Sequence, residues 1–415
     1  MTLIKTSLLS GIAVFIRIIT LLSINKILAI YVGATGYAAL GQFQNAIQML
    51  TVFASGAINT GVTKYTAEYN GDEDKQHLVW RTAGSIAAIG SLFTAVFISF
   101  FNENLANFFL NDSSYGSVFL WFASTLIFFT LNTLLLAILN GKKDVQRYIL
   151  ANISGSIFAF IVTTILSVHL GLYGALVALS IYQSVSFFVT LLLCHRAQWF
   201  KVSYLIGNLD KKIVMNLGKY AAMALVAAIC GPISHMFVRE HLGETLGWNV
   251  AGYWEAMWRL SAAYLMFITT TLSVYYLPRL SELKETTEIK NEIFQGYKII
   301  LPVAIIFSVF IYLSRDLIID ILFTSDFMPM RELFAWQVVG DTLKIGGWIL
   351  TYLLIGQGLT KIYIITEIVF SLIFVLFTML FTNLFGMEGV SIAHASSYLL
   401  YWSSLIIYFS VRYCK

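Results

Sequence analysis

The sequence predicts an all-α polytopic membrane protein, with twelve transmembrane helices in two pseudo-symmetric six-helix lobes. Composition is the first reason. The 415 residues are 58% hydrophobic and 12% charged, with mean hydropathy +0.79, where soluble domains carry about a quarter charged residues. The second is run length. Apolar stretches of about 17–25 residues follow one another from end to end, each able to cross about 30 Å of hydrocarbon, and no soluble domain fits between them. The third is basic charge, which alternates loop by loop.

The helices are expected at 4–32, 37–67, 79–101, 116–140, 146–168, 172–194, 213–238, 248–278, 294–313, 332–356, 361–382 and 386–411. The first run begins at Leu3, lacks a small-residue cleavage site and flows into the second, so it reads as a retained helix rather than a signal peptide. The second holds Ser55-Gly56 and Gly61, on which any bend must rest because no proline precedes Pro232. Close helix packing through small side chains is the competing role for these residues. The fourth closes on Asn140-Gly141 and the sixth opens on Gly171-Leu172-Tyr173-Gly174. All four prolines, Pro232, Pro278, Pro302 and Pro329, fall in the later half. The tenth helix closes on Gln357-Gly358 and the twelfth opens on Gly386-Met387-Glu388-Gly389.

With both termini on one side, eighteen of the 26 basic residues flank the helices there, against three, Arg239, Arg315 and Arg331, on the other. The positive-inside rule makes the richer side, and so both termini, cytoplasmic. The other five, Arg17, Lys26, Lys219, Arg259 and Lys344, lie within spans. The longest cytoplasmic connection, 195–212, divides the chain into an N-lobe, 1–204, and a C-lobe, 205–415. Weak self-similarity crosses it. The glycine pairs opening helices six and twelve are offset by 215, and Gly141 and Gly358 by 217. Duplicated halves place a substrate between them near the midplane.

No carboxylate lies inside any span of the first half, yet the first helix holds Arg17 and Lys26. A cation at membrane depth is costly and usually kept for a task. Arg17 lies about 18 Å beyond Lys5 at 1.5 Å per residue, too deep for easy snorkelling. It reads as lining a hydrated cavity, with capping of a neighbouring helix as the alternative. Lys26 lies about 180° around the same helix and near enough to the surface for its stem to reach water. On helix two, Asn45, Gln48, Ser55 and Asn59 fall within about 80° of one another. That stripe belongs in the bundle interior, for helix–helix hydrogen bonds or for sugar contact.

Charges in the second half come in compensating pairs. Glu255 and Arg259 stand at i,i+4 and Asp341 and Lys344 at i,i+3, which predicts internal ion pairing for both. Glu367 and Lys219 have no partner on their own helices. Tyr253 and Trp254 read as an interfacial belt and Trp258 as core, with stacking on sugar rings as the other use. A pathway positive in one lobe and nearly neutral in the other suits a diphosphate, which carries about two negative charges and is clasped well by Arg. Cys194, Cys230 and Cys414 are dispersed, and the six histidines show no metal spacing, so neither a disulfide framework nor a metal or cofactor is implied.

Three stretches carry a family resemblance. They are Gly61-Val62-Thr63-Lys64-Tyr65 with Ala67 and Tyr69; Leu277-Pro278-Arg279-Leu280-Ser281; and Arg331-Glu332-Leu333-Phe334-Ala335-Trp336-Gln337-Val338-Val339-Gly340-Asp341 with Leu343 and Lys344. The chain resembles the Wzx-type polysaccharide-lipid flippases of the multidrug/oligosaccharidyl-lipid/polysaccharide exporter superfamily, and most the enterobacterial common antigen branch. The resemblance implies a central cationic cavity and alternating access of an undecaprenyl-diphosphate-linked oligosaccharide, an O-antigen or common-antigen repeat. The direction is from the cytoplasmic to the periplasmic leaflet of a bacterial inner membrane. Arg17, Lys26, Lys219, Asp341 and Lys344 match the family's functional charges by position. A glycan polymerase and a chain-length regulator are the partners implied, and no nucleic acid.

The expected function is therefore a flippase without covalent chemistry. Arg17, Lys26, Lys219 and Arg259 are to meet the diphosphate, and Asn45, Gln48 and Asn59 the sugar. An ion-coupled multidrug exporter of the same superfamily is the alternative, with Asp341 or Glu367 as coupling carboxylate. A membrane glycan polymerase or ligase needs a larger outer loop than 314–331 provides.

Overall fold

The computed structural model describes residues 3–276, 279–280, 283 and 285–413; the side chains of 3–13, 219–220, 274–275 and 413 lie outside the described set. Lys219 and most of the Leu277–Ser281 stretch therefore fall outside it. Among the described residues every regular element is helical. In chain order these are α1 Leu3–Tyr31, α2 Gly33–Ser55, α3 Asn59–Glu68, α4 Glu73–Phe100, α5 Asn102–Leu110, α6 Gly116–Gly141, α7 Val145–His195 and α8 Lys211–Leu246. They continue as α9 Trp248–Thr271, a π turn Leu272–Tyr276, α10 Thr286–Leu313, α11 Arg315–Leu322, a 3₁₀ stretch Ser325–Leu333, α12 Phe334–Gly356, α13 Thr360–Phe385 and α14 Glu388–Tyr413.

Nine of these segments are long and apolar enough to cross a membrane, against the twelve expected. The difference has a physical origin. α7 is two spans joined at Gly171, whose φ of 55° and ψ of −132° break an otherwise continuous 51-residue helix. The α2–α3 passage is interrupted at Gly56, and with α9 it falls below the apolarity of a span. Both passages bury polar side chains, Gln42, Asn45 and Ser55 in one and Glu255 and Ser261 in the other. Low apolarity there reflects what the helices hold.

The repeat is visible in the backbone. Gly171 and Gly386, 215 positions apart, adopt nearly the same left-handed conformation, φ 55° and 60° with ψ −132° and −137°. Three residues on, a Cβ on Gly174 would meet the Leu166 carbonyl oxygen at 1.9 Å, and one on Gly389 the Phe381 oxygen at 2.2 Å. The second match shifts by two residues. Lys143, not Gly141, is the counterpart of Gly358, with φ 56° against 67°. The amides of Lys143 and Asp144 donate to Asn140 and Leu139, as those of Gly358 and Leu359 donate to Ile355 and Leu354. Both turns thus use one helix-ending pattern at one offset of 215.

Packing divides the chain into Met1–Val32 with Ala39–Pro232, and Gly33–Ala38 with Ile233–Lys415. In the first unit α6 lies along α7 and α4, with α1 against α7. The connection after α7 is pinned to α4, where Ser85 Oγ donates to the Gly207 carbonyl at 2.7 Å and Gly84 leaves room for the Leu205 carbonyl. In the second unit α12 packs on α14 and α10, and α13 on α14. Gly340, Gly346 and Gly347 let α12 approach His394, Tyr401 and Trp402 of α14.

Candidate functional site

The second unit holds two buried charge clusters. The first is built on α8 and α9. One oxygen of Glu255, Oε2, accepts from Arg239 Nε at 2.9 Å and lies 2.7 Å from Arg239 Nη2; the other, Oε1, accepts from Arg259 Nε at 2.8 Å. The i,i+4 pair read from the sequence is therefore present, with a third member added. Arg239, assigned above to an outer loop, is 2% exposed inside α8. Two guanidiniums share one carboxylate, so the triad keeps one positive charge. Arg259 lies 5.7 Å from the centre of the Tyr37 ring, and Arg239 5.5 Å from that of Trp254.

The second cluster centres on Asp341, which is fully buried. Oδ2 accepts from Ser261 Oγ at 2.7 Å and from the Tyr264 hydroxyl; Oδ1 accepts from His394 Nε2 at 3.0 Å and more weakly from Gln337 Nε2 at 3.4 Å. Four donors from three helices hold the carboxylate. Among the described residues no salt bridge joins it to Lys344. The Lys344 ammonium instead sits among aromatic faces, 4.3 Å from Trp258, 4.8 Å from Trp348 and 5.4 Å from Tyr398. Desolvated cation–π contacts are worth about 2 kcal/mol or more. Trp258, expected to be core, is one wall of this cage. Glu367 is a further electrostatic neighbour of Lys344.

The repeat shows what the fold does not require. At the offset of 215, Gln337, Asp341, Lys344 and His394 correspond to Phe122, Leu126, Phe129 and Leu179. The same helix positions pack with apolar side chains in the first half, where Phe122 and Leu126 are fully buried. Packing therefore does not demand charge at these positions, and ionisable side chains kept inside a span mark function.

The first unit places its expected residues less tightly. Arg17 is exposed on α1, and among the described residues no salt bridge engages it. Lys26 is half-buried. Asn45 Nδ2 donates to the Pro232 carbonyl at 3.0 Å and Asn59 Nδ2 to Thr133 Oγ1 at 3.3 Å, so both make helix–helix bonds. Gln48 is exposed. Arg239, Ser261, Tyr264, Gln337 and His394 were missed in the sequence. Gln337 stands one turn before Asp341 and offered a local signal; the others meet their partners only across helices.

Charge clusters inside the spans of a duplicated helical bundle define a multi-span membrane transporter. Comparison with solved structures agrees on the fold. The chain matches an inward-facing multidrug resistance MATE family transporter of the MOP superfamily with TM-score 0.79 at 15% identity, over 97% of this chain and 98% of that one. It matches a Vibrio cholerae MATE transporter with TM-score 0.75 at 15% identity, over 98% and 97%. The chain belongs to the polysaccharide biosynthesis protein family, whose profile matches residues 3–284. It is 30% identical to the lipid III flippases of Escherichia coli (strain K12) and Shigella flexneri, in each case over 97% of both chains.

Proposed function

We propose that the chain is a flippase for an undecaprenyl-diphosphate-linked oligosaccharide, an O-antigen or common-antigen repeat. It carries its substrate by alternating access from the cytoplasmic to the periplasmic leaflet of a bacterial inner membrane, makes no covalent bond to it, and keeps both termini in the cytoplasm. The observation that carries this reading is full-length likeness to the lipid III flippases. The net positive charge of the Arg239–Glu255–Arg259 triad supports it, because buried positive charge suits a diphosphate. Arg259 is assigned to the diphosphate, joined by Arg17, Lys26 and Lys219; Gln48 is left to meet sugar hydroxyls. A glycan polymerase and a chain-length regulator act on the delivered unit.

The test is complementation. Expressed in Escherichia coli lacking its lipid III flippase or an O-antigen flippase, the chain should restore surface display of one glycan. Restoration of neither, with the protein present in the membrane, rejects the reading. Drug resistance conferred in the same cells would favour the multidrug exporter instead.

A further inference from the structure

His394 is 1% exposed and joins Asp341 through Nε2 at 3.0 Å, while its Nδ1 is buried without a hydrogen-bond partner. Asp341 accepts at both oxygens, so Nε2 carries the hydrogen and Nδ1 a bare lone pair; the other tautomer would set a lone pair against the carboxylate. The ring therefore has a vacant proton position at the centre of the cluster. Across the two clusters and Glu367 the formal charges balance, Arg239, Arg259 and Lys344 against Glu255, Asp341 and Glu367, all on the second unit's helices. One added proton makes the set positive.

We propose that His394 is a proton-binding site, and that the proton is taken up together with the anionic diphosphate head group. The second clause rests on the flippase reading above. The proton comes from water and forms one N–H bond at Nδ1, with no other bond changed. The groups facing the ring are Asp341 and Lys344 from α12, Tyr264 from α9, His235 from α8, Glu367 from α13 through Lys344, and Tyr398 from its own helix. Asp341 stabilises the imidazolium and Lys344 opposes it. An arriving anion tips that balance toward protonation, and by linkage the proton tightens the anion equally. Positive coupling of this kind ties proton uptake at the ring to loading of the anion.

Trp258 supplies a direct reporter, with its ring 5.5 Å from that of His394. Tryptophan fluorescence of the purified full chain in detergent should fall through one step on acidification, as imidazolium quenches the indole. His394→Gln should lose the step and His235→Gln should keep it. Undecaprenyl diphosphate added in weak buffer with a pH dye should draw about one more proton per bound molecule into wild type than into His394→Gln. Its affinity for wild type should tighten by up to about ten-fold per pH unit on acidification, relative to the variant. A folded His394→Gln that keeps the step or the uptake overturns the proposal, as does a wild type that shows neither. Where His394→Gln does not fold, Asp341→Asn reads the same site, because losing the carboxylate bonded to Nε2 should displace the fluorescence step from its wild-type position. Should the probe bind no form of the protein, the flippase reading fails while the fluorescence step still decides the proton site.

Discussion

Arg239 Nη2 lies 2.7 Å from Glu255 Oε2, and the two residues are 2% and 3% exposed. A buried pair of this kind is expensive to break, at about 3–5 kcal/mol, because the survivor is left as an uncompensated charge. Arg259, on the other oxygen, is more accessible, with 16% of its side chain exposed. The triad thus divides its labour, with Arg239 as the inner counter-ion and Arg259 as the cation within reach of a ligand.

Arg259→Gln should therefore keep the fold, since Glu255 retains Arg239, yet lower glycan export by about ten-fold or more, as loss of a charge-assisted contact does. Glu255→Gln should lower thermal stability sharply by removing the carboxylate that both guanidiniums share. Melting temperature in detergent beside surface glycan display separates the two effects. Equal stability loss in both variants would reject this division.

Gly340, next to Asp341 on α12, packs directly against α14. A Cβ there would meet His394 Cδ2 at 2.2 Å and the Ala395 nitrogen at 3.0 Å. Gly340→Ala should push α14 away and destabilise by about 1–3 kcal/mol, the usual range for overpacking. Gly218, with nothing within 4 Å, is the matched control. Gly218→Ala should leave the melting temperature unchanged or raise it, since alanine is the better helix former by about 1 kcal/mol.

How much of this was legible in the sequence depended on whether the relevant spacing was local. The break at Gly171 followed from a glycine pair at a helix start, and the Glu255–Arg259 contact from i,i+4 spacing on one helix face. The same logic paired Asp341 with Lys344, which do act on each other electrostatically, but it did not reveal the hydrogen-bond donors of the one or the aromatic cage of the other. Ser261, Tyr264 and His394 reach Asp341 from helices 53 to 80 positions away, a separation that no periodicity encodes. Arg239 was placed in a loop because basic residues near span ends usually sit there. The repeat was visible, but its second landmark was misaligned, since Gly141 drew the eye from Lys143, whose conformation is the one that matches Gly358.

The start of α4 responds to acid. Asp72 accepts from the Lys75 amide at 3.1 Å and pairs with the Lys75 ammonium at 2.7 Å, and these contacts hold its carboxyl below the ordinary value. A lowered folded value means that the cap stabilises the helix above the unfolded carboxylate range and is lost as pH falls through the folded value. Protection of the Lys75 amide against exchange, relative to its intrinsic rate, should therefore fall only in that acid window. Asp72→Asn, which can still accept at its side-chain oxygen, should remove the pH dependence while leaving the cap.

The stripe on the α2–α3 passage separates a scaffold from a sugar contact. Asn45 and Asn59 each donate across to another part of the first unit, so Asn45→Ala and Asn59→Ala should cost about 0.5–1.5 kcal/mol of stability each. Gln48 is exposed, and Gln48→Ala should leave the melting temperature unchanged. Transport should respond in the opposite order. Gln48→Ala should lower export of the native glycan while binding of bare undecaprenyl diphosphate stays the same, because the amide is assigned to sugar hydroxyls and not to phosphate. A Gln48→Ala protein that exports normally, beside an Asn45→Ala protein that folds well but does not, would return the sugar contact to the buried amides.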